Sequence, residues 1–162
     1  MSRVEVSSKV RTFTSIAVAN TAISYLANYQ VGSLLTIPGA LRQSNRTGLL
    51  ISASLVDSTI TKNPFSLMLF RAAPTISSTN GTLVNISATE MRSKFCGFFD
   101  IGSSDWQQLS ACSVASVNNL GVSVDSADAI NYSLYALLIA QATFSYSSAN
   151  ALNLSLTIVQ DG

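Results

Sequence analysis

The stretch Leu152-Asn-Leu-Ser-Leu-Thr-Ile-Val159 places an apolar side chain at every second position. Successive side chains of a β-strand point to opposite faces of a sheet, so this pattern predicts a strand with one buried face. The same alternation occurs near the N-terminus, where valines alternate with polar residues. There it predicts an extended segment that carries four charged side chains, Arg3, Glu5, Lys9 and Arg11.

Short segments with strand character continue through the rest of the chain, at 12–19, 31–37, 48–56, 65–71, 96–100, 120–124 and 132–141. Turn dipeptides separate several of them, among them Pro38-Gly39, Asn63-Pro64, Asn80-Gly81 and Asn118-Asn119. Many short strands separated by turns predict an all-β sandwich or barrel. The segment 132–141 is almost continuously apolar, which is typical of a central strand buried on both faces or of a buried helix.

One short helix interrupts this pattern. Ser87-Ala-Thr-Glu90 has the spacing of a capping box, in which the serine hydroxyl and the glutamate carboxylate each accept a backbone N–H of the first helical turn. The helix is predicted over about 88–95, with Met91 and Phe95 facing the core because they are four residues apart. A second, weaker helical turn is predicted at 105–109.

The composition describes a neutral chain of one domain. Its 162 residues are 48% apolar and only 10% charged, against about 25% in an average protein. The net charge of +1 is too small for an electrostatic footprint on nucleic acid, and polar residues interrupt the longest charge-free stretch, 129–160, so no membrane partner is expected. A surface of small uncharged polar residues suits a protein that ends up covered by neighbours.

The sequence contains few of the side chains that usually carry enzymatic catalysis. There is no histidine, which removes the commonest general base and metal ligand. The two cysteines, Cys96 and Cys112, cannot form a zinc site alone, and we expect free buried thiols rather than a disulfide. We therefore predict no catalytic residue, no cofactor and no metal site.

Two acidic clusters leave other interpretations open. Asp100 and Asp105 flank a loop that also holds Trp106; they indicate a turn with side-chain-to-backbone hydrogen bonds or, alternatively, a sugar platform on which the indole stacks. Asp125 and Asp128 indicate a loop or a helix N-cap, or a contribution to a calcium site, although the EF-hand spacing is missing.

The order of these segments resembles the small jelly-roll structural proteins of tailed bacteriophages, among them the capsid cement, or decoration, proteins. The resemblance covers roughly residues 25–161 and depends on the order of the strands rather than on a catalytic signature. It is carried by Tyr29-Gln-Val-Gly32, Leu34-Leu-Thr-Ile-Pro38, Thr47-Gly-Leu-Leu-Ile-Ser-Ala-Ser-Leu-Val-Asp57, Asn63-Pro-Phe-Ser-Leu-Met-Leu-Phe70, Cys96-Gly-Phe-Phe-Asp100, Trp106, Tyr135-Ala-Leu-Leu-Ile-Ala-Gln-Ala142 and the C-terminal Leu152–Asp161.

The resemblance implies a jelly-roll β-sandwich of about eight strands over residues 25–162, preceded by an N-terminal arm or first strand in residues 1–24. It implies a homo-oligomer, a trimer or dimer, that is made in the bacterial cytoplasm and binds the major capsid protein on the outside of the virion. A tail, neck or fibre component and a carbohydrate-binding jelly roll remain as alternatives. The expected partner contacts are Arg3, Glu5, Lys9 and Arg11 of the arm, and the loop residues Arg42 and Arg46, because arginine suits interface ion pairs.

Overall fold

The computed structural model describes residues 9–18, 21–42 and 47–161. In these residues the chain forms eleven strands, one α-helix, α1 (Ala88–Lys94), and a 3-10 turn (Ser103–Asp105). The strands are β1 (Lys9–Val18), β2 (Ser24–Tyr25), β3 (Gln30–Ile37), β4 (Thr47–Asp57), β5 (Phe65–Phe70), β6 (Phe95–Ile101), β7 (Trp106–Gln108), β8 (Ser113–Asp125), β9 (Leu134–Ala140), β10 (Phe144–Ser145) and β11 (Leu152–Gln160).

The strands pair in a nested order. A five-stranded sheet has the order β1-β11-β4-β8-β7, a four-stranded sheet has the order β3-β9-β5-β6, and β2 pairs with β10. The first long strand pairs with the last, β3 with β9, β4 with β8 and β5 with β6, all antiparallel. Nested antiparallel pairs shared between two packed sheets are the topology of a jelly roll. The prediction of an all-β sandwich is confirmed.

The alternation in the C-terminal stretch fixes which side of the five-stranded sheet is inside. Leu152, Leu154, Leu156 and Ile158 of β11 are fully buried between the two sheets. The residues between them are only partly buried, because they point to the opposite face. Since β11 lies between β1 and β4, its register sets the inward and outward faces of both neighbours.

The four-stranded sheet packs against the other sheet on one side and is largely covered by the chain's own residues on the other, where Phe98 of β6 stays exposed. Its central strand β9 is almost entirely buried, as the apolar segment 132–141 predicts. The outer side of this sheet carries a second apolar cluster built on Phe70, Leu137 and Ile139. Met91 and Phe95 pack against that cluster, so the connection between β5 and β6, which includes α1, forms a third layer over this sheet.

The N-cap of α1 follows the prediction in one half only. The amide of Glu90 donates to Ser87 Oγ at 3.2 Å. The Glu90 carboxylate does not complete the capping box: it accepts the amide of Thr75 at 2.7 Å and pairs with Lys94 at 2.7 Å. Lys94, one turn ahead, is a stronger partner than a backbone amide because it carries a full charge, and together with Thr75 it holds the pKa of Glu90 below its usual value.

Two local predictions were wrong in β7 and β8. The expected turn at Asn118-Asn119 lies inside the long strand β8, where Asn119 and Gly121 have φ values of 59° and 63° and the register with β4 shifts. The turn-forming residues therefore make a β-bulge, which needs the same left-handed backbone. The helical turn expected at 105–109 is a 3-10 turn that ends at Asp105 and is followed by β7.

The N-terminal segment is part of the sandwich from Lys9 onward. Residues 9–18 form β1, which pairs with β11 from Lys9–Gln160 to Val18–Leu152 and closes one edge of the five-stranded sheet. Residues 9–18 of the predicted arm thus lie in the chain's own sheet. In the described residues no helix is long and apolar enough to cross a bilayer.

Candidate interaction surface

The outward face of the five-stranded sheet consists of four rows of paired residues. Strand pairing aligns Val10 with Val159, Leu49 and Ser123 in one row, and Thr12 with Thr157, Ser52 and Asn118 in the next. The remaining rows are Ser155-Ser54-Ser116 and Asn153-Val56-Val114-Gln107. We call these residues the uncharged face.

Small polar and aliphatic side chains make up the whole uncharged face. The valines and the leucine stand in the two end rows, serine, threonine and asparagine make up the two middle rows, and no Asp, Glu, Lys or Arg stands in any of these rows. Val10, Leu49 and Val56 are 59%, 41% and 38% exposed. Exposed aliphatic carbon on a surface that also lacks charge is unusual, because charge is what keeps protein surfaces apart in solution.

A pair of carboxylates marks the limit of this face. Two residues beyond Leu49, next to the row that contains Val10 and Val159, Thr47 donates through Oγ1 to the carboxylate of Asp161. Asp125, which pairs with Thr47 in the strand register, forms an ion pair with Arg71 of the connection that covers the other sheet. Charge therefore begins at the rim of the face.

Of the six predicted contact residues, three lie in the described part of the chain. Lys9 and Arg11 are exposed on the edge strand β1, and Arg42 is exposed after the turn that ends β3. Arg3, Glu5 and Arg46 lie outside the described residues. The structure therefore brings Lys9 and Arg11 together on one sheet edge and places Arg42 beyond the opposite sheet's first strand.

Arg11 is engaged inside the chain. Its Nη1 donates to the carbonyl of Gly39 at 3.0 Å, and its guanidinium lies 5.4 Å from the centre of the Phe13 ring. Gln160 Nε2 donates to the same carbonyl at 3.0 Å. These bonds fasten the turn after β3 to β1 and β11, so Arg11 helps to hold the two sheets together at this edge.

The proposed sugar platform around Trp106 is wrong. The indole is only 5% exposed, its Nε1 donates to the Asn63 carbonyl at 2.9 Å, and its ring packs edge-on against Phe65. Asp105 accepts the amide of Gly102 at 2.7 Å and Asp100 accepts the hydroxyl of Ser66. The acids serve the turn and the sheet edge, and a buried indole offers no face for a sugar ring to stack on.

Asp125 and Asp128 belong to separate local structures. Asp128 Oδ1 accepts the amides of Ile130 and Asn131, each at 3.0 Å, and these bonds lower the pKa of Asp128. Asp125 is bound to Arg71 and to the Cys96 thiol. Within the described ranges no three His, Cys, Asp or Glu side chains stand close enough together to hold a metal ion.

A buried carboxylate links the two loops at one end of the sandwich. Asp57 is fully buried and accepts four hydrogen bonds: from the Tyr146 hydroxyl at 2.8 Å, from the amide and hydroxyl of Thr59 at 2.8 and 2.6 Å, and from the Thr61 hydroxyl. Burial, together with this carboxylate, raises the pKa of the Tyr146 hydroxyl far above its usual value. The cluster has no open position for a substrate and acts as a structural clasp.

A cleft of about 450 Å³ lies between the start of β3 and residues 74–80. Leu34, Pro74 and Ile76 supply its apolar wall, and Gln30 and Asn80 line it with amides. Both amides are already used: Gln30 Oε1 accepts the Ser78 hydroxyl at 2.9 Å, and Asn80 Oδ1 accepts the Gly32 amide at 2.7 Å. The lining holds neither a charged nor an aromatic side chain.

Both cysteines are free thiols. Cys96 is partly buried, and its Sγ lies 3.3 Å from Asp125 Oδ1. Burial raises the pKa of the Cys96 thiol to about 11, so it is a poor nucleophile near neutral pH. The expectation of unpaired cysteines agrees with this geometry.

Comparisons with known proteins give no family. No family model matches the chain, and no curated protein matches it. Among solved structures, a chain of Desmodium yellow mottle tymovirus is similar over 100% of this chain and 92% of that one, at 12% identity and a TM-score of 0.34. At that identity and TM-score the likeness says nothing about what this chain does.

Proposed function

We propose that this chain is a structural protein of a virus particle, a cement or decoration protein that binds the outside of a bacteriophage head shell. The observation that carries the proposal is the uncharged face: the outer side of a jelly-roll sheet, which no described residue of the chain covers and whose rows hold no charged residue. Such a surface is suited to burial against other protein subunits. The proposal includes no catalytic role.

The arrangement of the polar side chains supports the same proposal. The buried carboxylate of Asp57, the amide of Asn80 and the ion pair of Arg71 with Asp125 all hold loops of the chain together. Each has its partners within the chain, so these groups are used for rigidity rather than left open for a reacting molecule. Rigid loops at the ends of a sandwich are suited to repeated contacts with a lattice of shell subunits.

Multivalency explains how individually weak contacts can hold the protein on the shell. A decoration protein that engages several shell subunits at once needs only weak individual contacts, because linked contacts raise the overall affinity by factors of about 10²–10⁴. The proposed partners are the major capsid protein and further copies of the chain. Lys9 and Arg42, both exposed, remain proposed contacts with the shell.

Rebinding tests the proposal. Shells stripped of this protein are incubated with the purified chain, and bound protein and the temperature of shell disruption are measured. We expect saturable binding and a higher disruption temperature. Failure to bind the stripped shell at saturating concentration would refute the cement role and would direct attention to a tail, neck or fibre position.

A carbohydrate-binding role is a second candidate, now at a different place from Trp106. The cleft beside Gln30 and Asn80 has an apolar wall, but both amides are bonded within the chain, so it offers a neutral sugar apolar contact and the hydroxyls of Ser33 and Thr79. The absence of an aromatic side chain from its lining weakens this candidate, since stacking on aromatic rings supplies much of sugar affinity. Isothermal titration with neutral oligosaccharides tests it, and no measurable heat of binding would refute it.

A further inference from the structure

The outer faces of the two sheets are covered by the chain to different extents. The four-stranded sheet is covered by the chain's own residues, with Met91 and Phe95 packed on Leu137 and Ile139. The five-stranded sheet has the uncharged face on its outside, with Val10, Leu49 and Val56 exposed. One chain therefore contains both an outer layer that covers most of one sheet, with Phe98 left exposed, and a face that is not covered by any described residue of its own.

We propose that the uncharged face is the contact surface between two copies of this chain, packed sheet against sheet about a two-fold axis. This inference rests on the proposed function and names the surface through which the protein associates with itself. In a two-fold contact the same patch meets itself, so any charge near the axis would face a like charge. A face without charge meets its own copy without that repulsion.

The size of the face is close to the minimum that a specific dimer needs. Four long strands spaced about 4.8 Å apart give a width of about 20 Å, and the seven residues of β11 that carry the four rows, at about 3.4 Å each, give a length of about 24 Å. The projected area is about 500 Å² per copy, or about 1,000 Å² for the pair, near the lower limit of specific interfaces. A single strand edge would bury far less.

The residues of the face suit this kind of packing. Packed sheets lie about 10 Å apart, which leaves room for short side chains from both sides to interdigitate. Ser54, Ser155 and Ser116 form one of the two middle rows, and in the other Thr157 bonds to Thr12 through their hydroxyls at 3.3 Å. Hydroxyls donate and accept, so they can bond to an identical surface, and the exposed valines and leucine supply apolar area.

The sheet edge is a poorer place for self-association. The exposed edge strand β1 carries Lys9 and Arg11, and charged side chains on an edge oppose strand-to-strand pairing with another chain. Arg11 is moreover held by the Gly39 carbonyl at 3.0 Å. This places the contact on the face of the sheet rather than on its edge.

Sedimentation equilibrium of the purified chain tests the proposal. We expect a species of about twice 17.1 kDa that dissociates on dilution, with little dependence on salt because no charge is involved. Thr157→Lys puts a like charge on both copies and should weaken the dimer by about 100-fold or more. Thr36→Lys, at an exposed strand position of the other sheet, is the matched control and should leave the dimer unchanged.

A mixing experiment identifies the occupant as a second copy. Thr157→Lys and Thr157→Glu should each be monomeric alone and should associate when mixed, because opposite charges then face each other. Ser54→Lys serves as the second disruptive variant, and thermal unfolding shows whether each variant is folded. A wild-type monomer at high concentration, or folded lysine variants at both positions that dimerise like wild type, would overturn the inference.

The two proposals fail separately. A monomer that still binds stripped shells would refute the two-fold contact and leave the cement role standing. The uncharged face would then be available to the shell. A dimer that binds no stripped shell would refute the cement role and leave the two-fold contact standing.

Discussion

Replacing Tyr146 by phenylalanine isolates one hydrogen bond of the Asp57 clasp. The tyrosine hydroxyl donates to Asp57 Oδ2 at 2.8 Å, and both residues are buried, Asp57 completely. The ring itself packs 6.1 Å from Tyr25 and 5.6 Å from Phe144, centre to centre, and phenylalanine preserves those contacts. The substitution therefore removes a donor from a buried carboxylate and little else.

The expected loss of stability follows from the acceptor. A hydrogen bond to a charged group contributes about 1.5–3 kcal/mol, more than a neutral pair. For a chain of 162 residues each kcal/mol shifts the melting temperature by about 2–4 °C. Tyr146→Phe should therefore lower the melting temperature by about 3–12 °C.

Thermal unfolding followed by circular dichroism measures this, with Tyr135→Phe as the matched control. The Tyr135 ring packs against the second cluster, and its hydroxyl has no hydrogen-bond partner among the described residues. The control should melt within about 1–2 °C of wild type, as a change of ±0.5 kcal/mol implies. Equal melting temperatures for both variants would refute the view that the clasp stabilises this end of the sandwich.

Three further predictions concern other buried positions. The single tryptophan, Trp106, is 5% exposed, so its fluorescence should be blue-shifted and resistant to acrylamide, and ready quenching would contradict its burial. Burial raises the pKa of the Cys96 thiol to about 11, so this thiol should react slowly with iodoacetamide at pH 8 and faster as the pH approaches 11. Folding favours the neutral thiol, so its contribution to the free energy of unfolding is lost as the pH rises from about 9 to about 11. Gly48→Ala should destabilise the fold by about 1–3 kcal/mol in urea titration, because a Cβ there would lie 2.6 Å from Leu41 Cδ2, whereas Gly102→Ala, whose nearest neighbour is 3.4 Å away, should be close to neutral.

The sequence predicts strands best where burial is one-sided or complete. In β11 every second side chain is buried, and the alternation in Leu152–Gln160 shows it directly. In β9 both faces are buried, and the continuous apolar run shows that too. The first half of β8 gives neither signal: in residues 113–119 short polar and small apolar side chains occur on both faces, with Ser113 buried and Val114 on the uncharged face.

Turn residues indicate backbone conformation and not the end of a strand. Asn119 and Gly121 do adopt the left-handed conformation that their types favour, but inside a bulge of β8. Whether such residues form a turn or a bulge depends on whether β4 continues alongside β8, and this long-range pairing cannot be read from the local sequence. The capping box at Ser87 failed because two other groups bind the Glu90 carboxylate: Lys94, four residues on, and the amide of Thr75, which is distant in sequence.

The amino-acid composition indicates that an uncharged surface exists, and only the strand register shows where it lies. A chain with 10% charged residues must have large uncharged areas somewhere. Serines 54, 116 and 155 stand next to one another only because β4 lies between β8 and β11. Arginines chosen from the sequence gave a weaker guide, since Arg11 turned out to be bound to Gly39 within the chain.

Copy number in purified particles tests the central claim most directly. Quantitative mass spectrometry would compare the amount of this chain with that of the major shell protein in particles from its source. A cement protein should be present at a ratio near one or at a simple fraction of it. A handful of copies per particle would contradict the cement role in favour of the tail or neck, and absence from particles would contradict a structural role in the virion altogether.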